Sequence, residues 1–511
     1  MSTLASASTD IWDTWEPYSR APSPDQVLRI LDAPLPAGVR DIDAKLSVLR
    51  IMTERLLQDR QRALQASAPI KRLPPELLSR MFELAARDHQ NLPVRISLVC
   101  RSWREVALAT PSLWSNISIG HVQPLGRLET SWPYNSLLPY RVQTFLDRSR
   151  FADLVLKIDI SKRDRYADFA TLVQRLEPHI WRCRSFFVWG IDEPGFDVVR
   201  GLCAKMLGPG TRLRELSLCA NSHFPTLNAI TSPLPNHGSM PHLHTLILDG
   251  FRPSCVQVSL PSLRSLRFRT AHRSSGRRRR DDTDCASFLQ LLRSLHRLEA
   301  LEIDSWGFTI PVMDALSSNS LQARAPHLGV KKLVLVHGSQ HHHLSPLLDA
   351  VSFPSVSHLC VCSGEGGPSG VPVLPPFLRN FNGSITLLSI ASYTLTGTAV
   401  LSLLQAMQSM PLLATLQIAY CCIDSQLFGT LGVRIADGNG GAWLAPCLRD
   451  ISLKHCDGLS LGEFITFARA RREAHDAVSV TRLAFLWCSG ADQEMVWQVR
   501  EVVPQVSFRG W

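Results

Sequence analysis

A six-residue pattern, apolar-x-x-apolar-x-apolar, returns through the C-terminal part of the chain and restricts it to folds made by stacking one unit many times. Its clearest copy is Leu213-x-x-Leu216-x-Leu218-x-x-Asn221. Further copies begin at Leu243, Leu263, Leu298, Val330, Val356, Ile385, Leu413, Leu448 and Val480, with a poorer one at Cys183. The first positions fall about 20 to 35 residues apart, a period typical of repeat architectures. Alternation at the fourth and sixth positions makes a short strand with one buried face. The residues before some copies read as helices, as in Phe288-Leu289-x-Leu291-Leu292-x-x-Leu295 and Leu401-x-Leu403-Leu404-x-x-Met407. One strand and one helix cannot bury a core alone, but stacked units can.

This pattern resembles the leucine-rich repeat family. The ninth position strengthens the likeness, because it holds Asn221 in the clearest copy and Cys421, Cys456 and Cys488 in three consecutive late copies. In that family the position takes Asn or Cys, facing inward where the chain leaves the strand. The resemblance implies an irregular solenoid over residues 150–511, mainly α/β, with parallel strands inside and helices outside, and a structural role for these thiols. The competing fold, an ordinary α/β domain, does not account for about ten copies of one pattern.

The third, fifth and seventh positions of each strand point away from the buried face and are candidates for partner contact. Early repeats place Glu215, Ser217, Thr245, Asp249, Arg267, Arg269, Glu302 and Asp304 there, a strip of mixed charge. Later repeats place Val334, Val336, Cys360, Cys362, Ala391, Ala419, Ala484 and Leu486, which are less polar. An exposed apolar strip marks an interaction surface, unless a loop or the C-terminal tail covers it.

Closer to the N-terminus a second kind of segment reads Leu73-Pro74-Pro75-Glu76-Leu77-Leu78, Met81-Phe82, Leu98-Val99-Cys100-Arg101-Ser102-Trp103 and Thr110-Pro111-Ser112-Leu113-Trp114. Pro74 and Pro75 sit where a missing N–H costs nothing at a helix start, and Glu76 complements the positive end of the dipole. Leu77, Leu78, Met81, Phe82 and Ala85 recur at helical intervals, and Trp103, Val106 and Ala107 open another amphipathic turn. So few residues seldom make a self-sufficient core, so part of this apolar surface must meet something else. The segment resembles the F-box family. That likeness implies a small all-α module at 67–119 docking to a Skp-type adaptor of a cullin ligase core, with Leu73, Pro74, Leu77, Leu78, Phe82, Val99 and Trp103 making or supporting the contact. The rest of the chain would then select a substrate protein for ubiquitination. The polar link Arg87-Asp88-His89-Gln90-Asn91-Leu92-Pro93 matches no such pattern.

Residues 1–38 combine Ser, Thr, Ala and Pro with isolated Trp12 and Trp15, which predicts a disordered tail. Val39, Ile42, Leu46, Leu49, Leu56 and Leu64 predict an amphipathic helix over 39–66. Thr53 and Arg60 interrupt its seam, so packing on neighbouring helices is expected rather than a long coiled coil.

Chemistry of its own is not foreseen. His337 and His341-His342-His343 lack a paired cysteine to close a metal site. The chain has no Gly-x-Ser-x-Gly elbow and no phosphate-binding glycine loop, and Gly364 to Gly370 is followed by prolines where a helix would be needed. A non-catalytic adaptor without cofactors is the expectation. The net charge of +10 over 511 residues favours acidic partners in general. Nucleic acid is the less favoured of these, since Arg277 to Arg280 is followed at once by Asp281, Asp282 and Asp284. No apolar stretch is long enough to span a membrane and the N-terminus lacks a secretory pattern, which suggests the cytosol or nucleus. Thirteen cysteines without zinc spacing then read as buried thiols. A repeat scaffold that binds proteins outside any ligase is the alternative function.

Overall fold

The structure, a computed structural model, describes residues 39–67, 70, 73–86, 89–120, 138–161, 166–206, 210–220, 239–251, 255–269, 285–304, 329–337, 351, 353–363, 383–434, 443–489 and 493–509. The N-terminal tail, Asn221, the Arg277 to Arg280 run with its aspartates, His341 to His343 and the Gly364 to Gly370 loop lie outside the described residues. The chain forms two compact units, Met1–Met81 and Phe82–Trp511.

The first unit contains α1 (Val39–Ser67) and the opening turns of α2 (Pro75–Ala86). The helix predicted over 39–66 is present, but its seam is not packed. Ile42, Leu46, Leu49 and Leu56 are 42 to 61% exposed, and Ile51 on the opposite face and Leu57 beside the seam are exposed at similar levels. Apolar side chains spread around a largely polar helix, interrupted at Thr53 and Arg60, provide no stripe wide enough to bury.

In the second unit, α3 (Leu92–Val99), α4 (Arg101–Ala109) and a 3-10 turn (Pro111–Trp114) lead directly into one fourteen-stranded sheet. Its strands are β1 (Asn116–Ile119), β2 (Leu154–Asp159), β3 (Cys183–Ile191), β4 (Glu215–Ala220), β5 (Thr245–Asp249), β6 (Ser265–Arg269), β7 (Ala300–Asp304), β8 (Lys332–His337), β9 (His358–Ser363), β10 (Leu387–Ala391), β12 (Thr415–Ala419), β14 (Asp450–Lys454), β15 (Arg482–Leu486) and β16 (Gln505–Arg509). Two-residue strands β11 (Thr394–Leu395) and β13 (Cys422–Ile423) pair separately. Every strand of the large sheet is parallel to its neighbours, and the order in space follows the order in the chain.

The register is set by the two apolar positions of the motif. Leu216, Leu246, Leu266, Leu301 and Leu333 align across successive strands, and so do Leu218, Leu248, Phe268, Ile303 and Leu335. Both rows are buried. A slip of one residue would turn them all to the opposite face, so burial fixes the pairing. Helices cover this buried face. Phe268 meets Phe288 of α8 (Cys285–Ser294) at 5.4 Å, and Phe485 meets Phe464 of α11 (Leu461–Glu473) at 6.1 Å. The others are α5 (Leu138–Ser149), α6 (Tyr166–Leu176), α7 (Glu193–Lys205), α9 (Thr398–Gln408), α10 (Gln426–Leu431) and α12 (Gln493–Arg500). The architecture is a leucine-rich-repeat-like solenoid. It starts earlier than residue 150, because β1 lies inside the stretch assigned from sequence to the helical module.

Where the chain leaves each late strand, two devices recur. The ninth-position thiols face inward and donate to carbonyls of their own and the preceding repeat: Cys421 to Ala419, Cys456 to Ile418 and Lys454, Cys488 to Leu453. Just before them the backbone turns left-handed. Ser392, Tyr420, His455 and Trp487 have φ of 63, 54, 49 and 53°, and each donates its N–H to the next strand. Gly120 and Gly250 take the corresponding step after β1 and β5. For a side chain larger than glycine's, that conformation costs roughly 1–2 kcal/mol.

A buried cation organises the final connections. Arg471 of α11 is wholly enclosed and donates to five backbone carbonyls, those of Val478, Leu444, Ala445, Pro446 and Leu448, at 2.8 to 3.3 Å. Its guanidinium also lies over Trp443 and Phe467. Burial pushes its pKa down to about 10, which leaves it charged at neutral pH.

Candidate functional site

Helix α2 begins where the sequence places it. Pro75 is its first residue, and the Pro74 carbonyl accepts from the N–H groups of Leu77 and Leu78 at 3.1 Å. Two apolar stripes then run along it. Leu78, Phe82 and Ala86 recur every four residues and are buried, at 3, 5 and 7% exposure. Leu77, Met81 and Leu84 follow at intervals of four and three and stay 49 to 53% exposed. The expected contact residues therefore divide: Leu78 and Phe82 are core, Leu73 is half-buried, and Pro74 and Leu77 are exposed.

Phe82 packs on Trp103 of α4, with ring centroids 4.9 Å apart. Trp103 is half-buried and so serves as support, whereas Val99 at the end of α3 is 59% exposed. Leu98 and Leu108 are exposed too, and of these Leu108 did not stand out in the sequence. Polar contacts hold these helices. Arg104 Nε donates to the Ser97 carbonyl at 2.8 Å, Trp114 Nε1 to the Ala107 carbonyl at 2.8 Å, and Ser112 Oγ to Glu83. Trp114, which closes the family-like segment, is fully buried against Phe145 of α5, so it is solenoid core. In the atypical link, Gln90 is buried with neither amide atom hydrogen-bonded.

The outward strand positions hold charges that are largely spent on one another. Arg267 and Arg269 both reach Glu302 Oε1, at 3.0 and 2.6 Å. Asp249 beside them is half-buried. Asp304 is corrected from contact residue to buried residue, at 3% exposure, where it ends β7 in register with Val336. Ser217 is buried as well. Val334 and Val336 are half-buried on the outward face, as expected.

Cys360 and Cys362 share that face with Sγ atoms 3.6 Å apart. The Cys362 thiol hydrogen-bonds to Cys360 and lowers its pKa to about 7, helped by Ser389 and Lys332. Among the described residues no group of three or more His, Cys, Asp or Glu side chains could hold a metal, and no helix is long and apolar enough to cross a membrane.

The late repeats carry a feature the outward-position rule does not cover. Tyr420, His455 and Trp487 stack as three near-parallel rings, with centroids 4.8 and 5.1 Å apart and planes 12 and 11° apart. Lys454 Nζ stands 5.8 Å from the Tyr420 ring and 5.9 Å from that of Trp487. The signal was an aromatic residue immediately before each ninth-position cysteine: Tyr420-Cys421, His455-Cys456, Trp487-Cys488.

The helices over Pro75–Trp114 coincide with a match to a known family. Residues 70–120 match the F-box-like family. The F-box-like segment thus takes in α2, α3, α4, the 3-10 turn and β1. A leucine-rich repeat-containing protein, LegL7 from Legionella pneumophila, aligns over 65% of this chain and 94% of its own, at 13% identity and a TM-score of 0.35. No curated protein matches the chain. An F-box-like segment followed by a repeat sheet is the architecture of a protein-interaction adaptor.

Proposed function

We propose that the chain is the substrate-recognition subunit of a Skp-cullin-F-box type ubiquitin ligase: the F-box-like segment docks on a Skp-type adaptor and the solenoid holds a substrate protein. The observation that carries this reading is the second stripe on α2. Leu77, Met81 and Leu84 lie exposed on a helix that already buries Leu78 and Phe82 into its own core, within the segment that matches the F-box-like family. A soluble helix gains nothing from a second apolar stripe unless a partner covers it. The chain itself would supply no chemistry, acting by raising the effective concentration of substrate near a ubiquitin-loaded enzyme.

Capture of a purified Skp-type adaptor by the full chain tests the reading. Leu77→Ala plus Val99→Ala removes two exposed contacts, and half of a full burial at each is about 2 kcal/mol in total, or roughly thirtyfold in affinity. Failure of the intact chain to retain the adaptor sinks the ligase assignment and leaves a repeat scaffold for protein binding. The nucleic-acid alternative loses support from Arg267 and Arg269, both engaged by Glu302.

A further inference from the structure

The end of the sheet carries a row of hydrogen-bond donors and positive charge. In register across β10, β12, β14, β15 and β16, the seventh positions read Ala391, Ala419, Lys454, Leu486 and Arg509. One residue later stand the stacked rings of Tyr420, His455 and Trp487. Each occupies a left-handed step that glycine fills after β1 and β5. Bulky residues are held in that conformation only where the surrounding structure enforces it, and such strain concentrates at functional sites.

The stacking decides which parts of the rings are on offer. His455 has a ring on each side and offers only its edge, whereas Tyr420 and Trp487 each keep one outer face. Ring edges are the positive parts of an aromatic quadrupole. Tyr420 is 57% exposed, and among the described residues neither Tyr420 Oη nor Trp487 Nε1 has a hydrogen-bond partner. Lys454 stands over the same stack with no carboxylate at ion-pair distance among the described residues. Arg509 is exposed on the neighbouring edge strand. Among the described residues, the Lys454 ammonium, the Tyr420 hydroxyl and the Trp487 indole N–H lie together here with no carboxylate on any of them.

We propose that this row, Lys454 and Arg509 with the ring edges of Tyr420, His455 and Trp487, binds an acidic segment of a partner protein. The inference deepens the reading of the solenoid as the substrate-holding part and rests on it. Carboxylates supply both the negative charge and the acceptors that Lys454, Tyr420 and Trp487 lack among the described residues, and charge-assisted bonds of this kind are short and strong. A nucleic-acid strand would need open ring faces for its bases, and the mutual stacking covers four of the six, leaving one on each outer ring.

Binding of a fluorescein-labelled oligoglutamate peptide to the full chain, read by anisotropy, tests the proposal. Oligoglutamate binds, oligolysine does not, and affinity falls as salt rises. Lys454→Gln and, separately, Arg509→Gln each weaken binding about tenfold. The same loss of charge at exposed Arg214, beside β4, leaves it unchanged. Equal loss from Arg214→Gln, no loss from either variant in the row, or tighter binding of oligothymidylate than of oligoglutamate overturns the proposal. Adaptor capture by Lys454→Gln, measured in parallel, stays at the parent level. If oligoglutamate binds through Lys454 while the intact chain captures no adaptor, the acidic-segment site stands and the ligase assignment falls.

Discussion

Replacing Arg471 by methionine keeps most of the side chain's length and apolar bulk while removing every donor. Five carbonyls lose this donor; those of Ala445 and Pro446 keep a backbone N–H, from Leu448 and Val478, and those of Leu444 and Leu448 belong to residues that are themselves buried. Each buried acceptor left alone costs about 1–3 kcal/mol. The parent also bears the cost of desolvating a guanidinium, several kcal/mol, which the methionine variant escapes. The balance is a destabilisation of about 3–5 kcal/mol, in the range for breaking a buried charged network. Arg471→Lys keeps three donors on a compact head and recovers part of this. Urea unfolding gives the magnitude, and amide exchange gives the place: exchange accelerates at Leu448, Val478 and Thr481 while β5 and β6 are unaffected. Stability also depends on pH with a definite sign. Burial holds the folded pKa near 10, below the ordinary 12.5, so between these values the unfolded chain binds more protons and native stability rises with pH. The methionine variant lacks that rise. A methionine variant within about 1 kcal/mol of the parent, or a lysine variant no better than methionine, refutes the reasoning.

Other expectations follow from the same geometry. Phe82→Ala opens a cavity beside Trp103 and costs about 3–5 kcal/mol, whereas Leu84→Ala on the exposed stripe changes the urea midpoint by the equivalent of about 0.5 kcal/mol or less. Ser392→Gly relieves a left-handed step that bears no ring, and raises stability by about 0.5–1 kcal/mol after glycine's own entropic cost. Cys360, its pKa lowered by the Cys362 hydrogen bond, reacts with iodoacetamide at lower pH than Cys203, whose pKa burial raises to about 12. Cys362→Ala removes the supporting hydrogen bond and moves the Cys360 midpoint upward, a change that peptide mapping of the alkylated protein follows.

The solenoid was legible because its register depends on two positions that every repeat must fill with apolar residues. Leu216 and Leu218 announce β4, and their counterparts announce each strand through β15. Strands β1, β2 and β16 were missed. In β2 the first position is polar, Asp153, whereas β1 and β16 do carry the pattern, as Trp114-x-x-Ile117-x-Ile119 and Val503-x-x-Val506-x-Phe508, with Trp114 read instead as the end of the helical segment. Simple alternation in Leu154-Val155-Leu156-Lys157-Ile158 and Val506-Ser507-Phe508 would have found the last two. On α2, helical spacing alone gives Leu77 and Leu78 equal weight, and only packing separates the exposed one from the buried one. The charge strip around Arg267 was legible as composition but not as pairing, since Glu302 reaches it from the next strand. The ring stack stayed hidden because a left-handed step is a property of backbone geometry, and nothing in Tyr420, His455 or Trp487 singly demands it.

The agreement between chain order and strand order has a consequence for how this molecule can be taken apart. No strand of the large sheet lies between two that are remote in sequence. A cut between β8 and β9 therefore severs one ladder and leaves every other pair intact on its own fragment. Two such pieces, expressed separately, carry complementary open edges and a shared register, and reassembly of the parent from them is a matter of mending one seam.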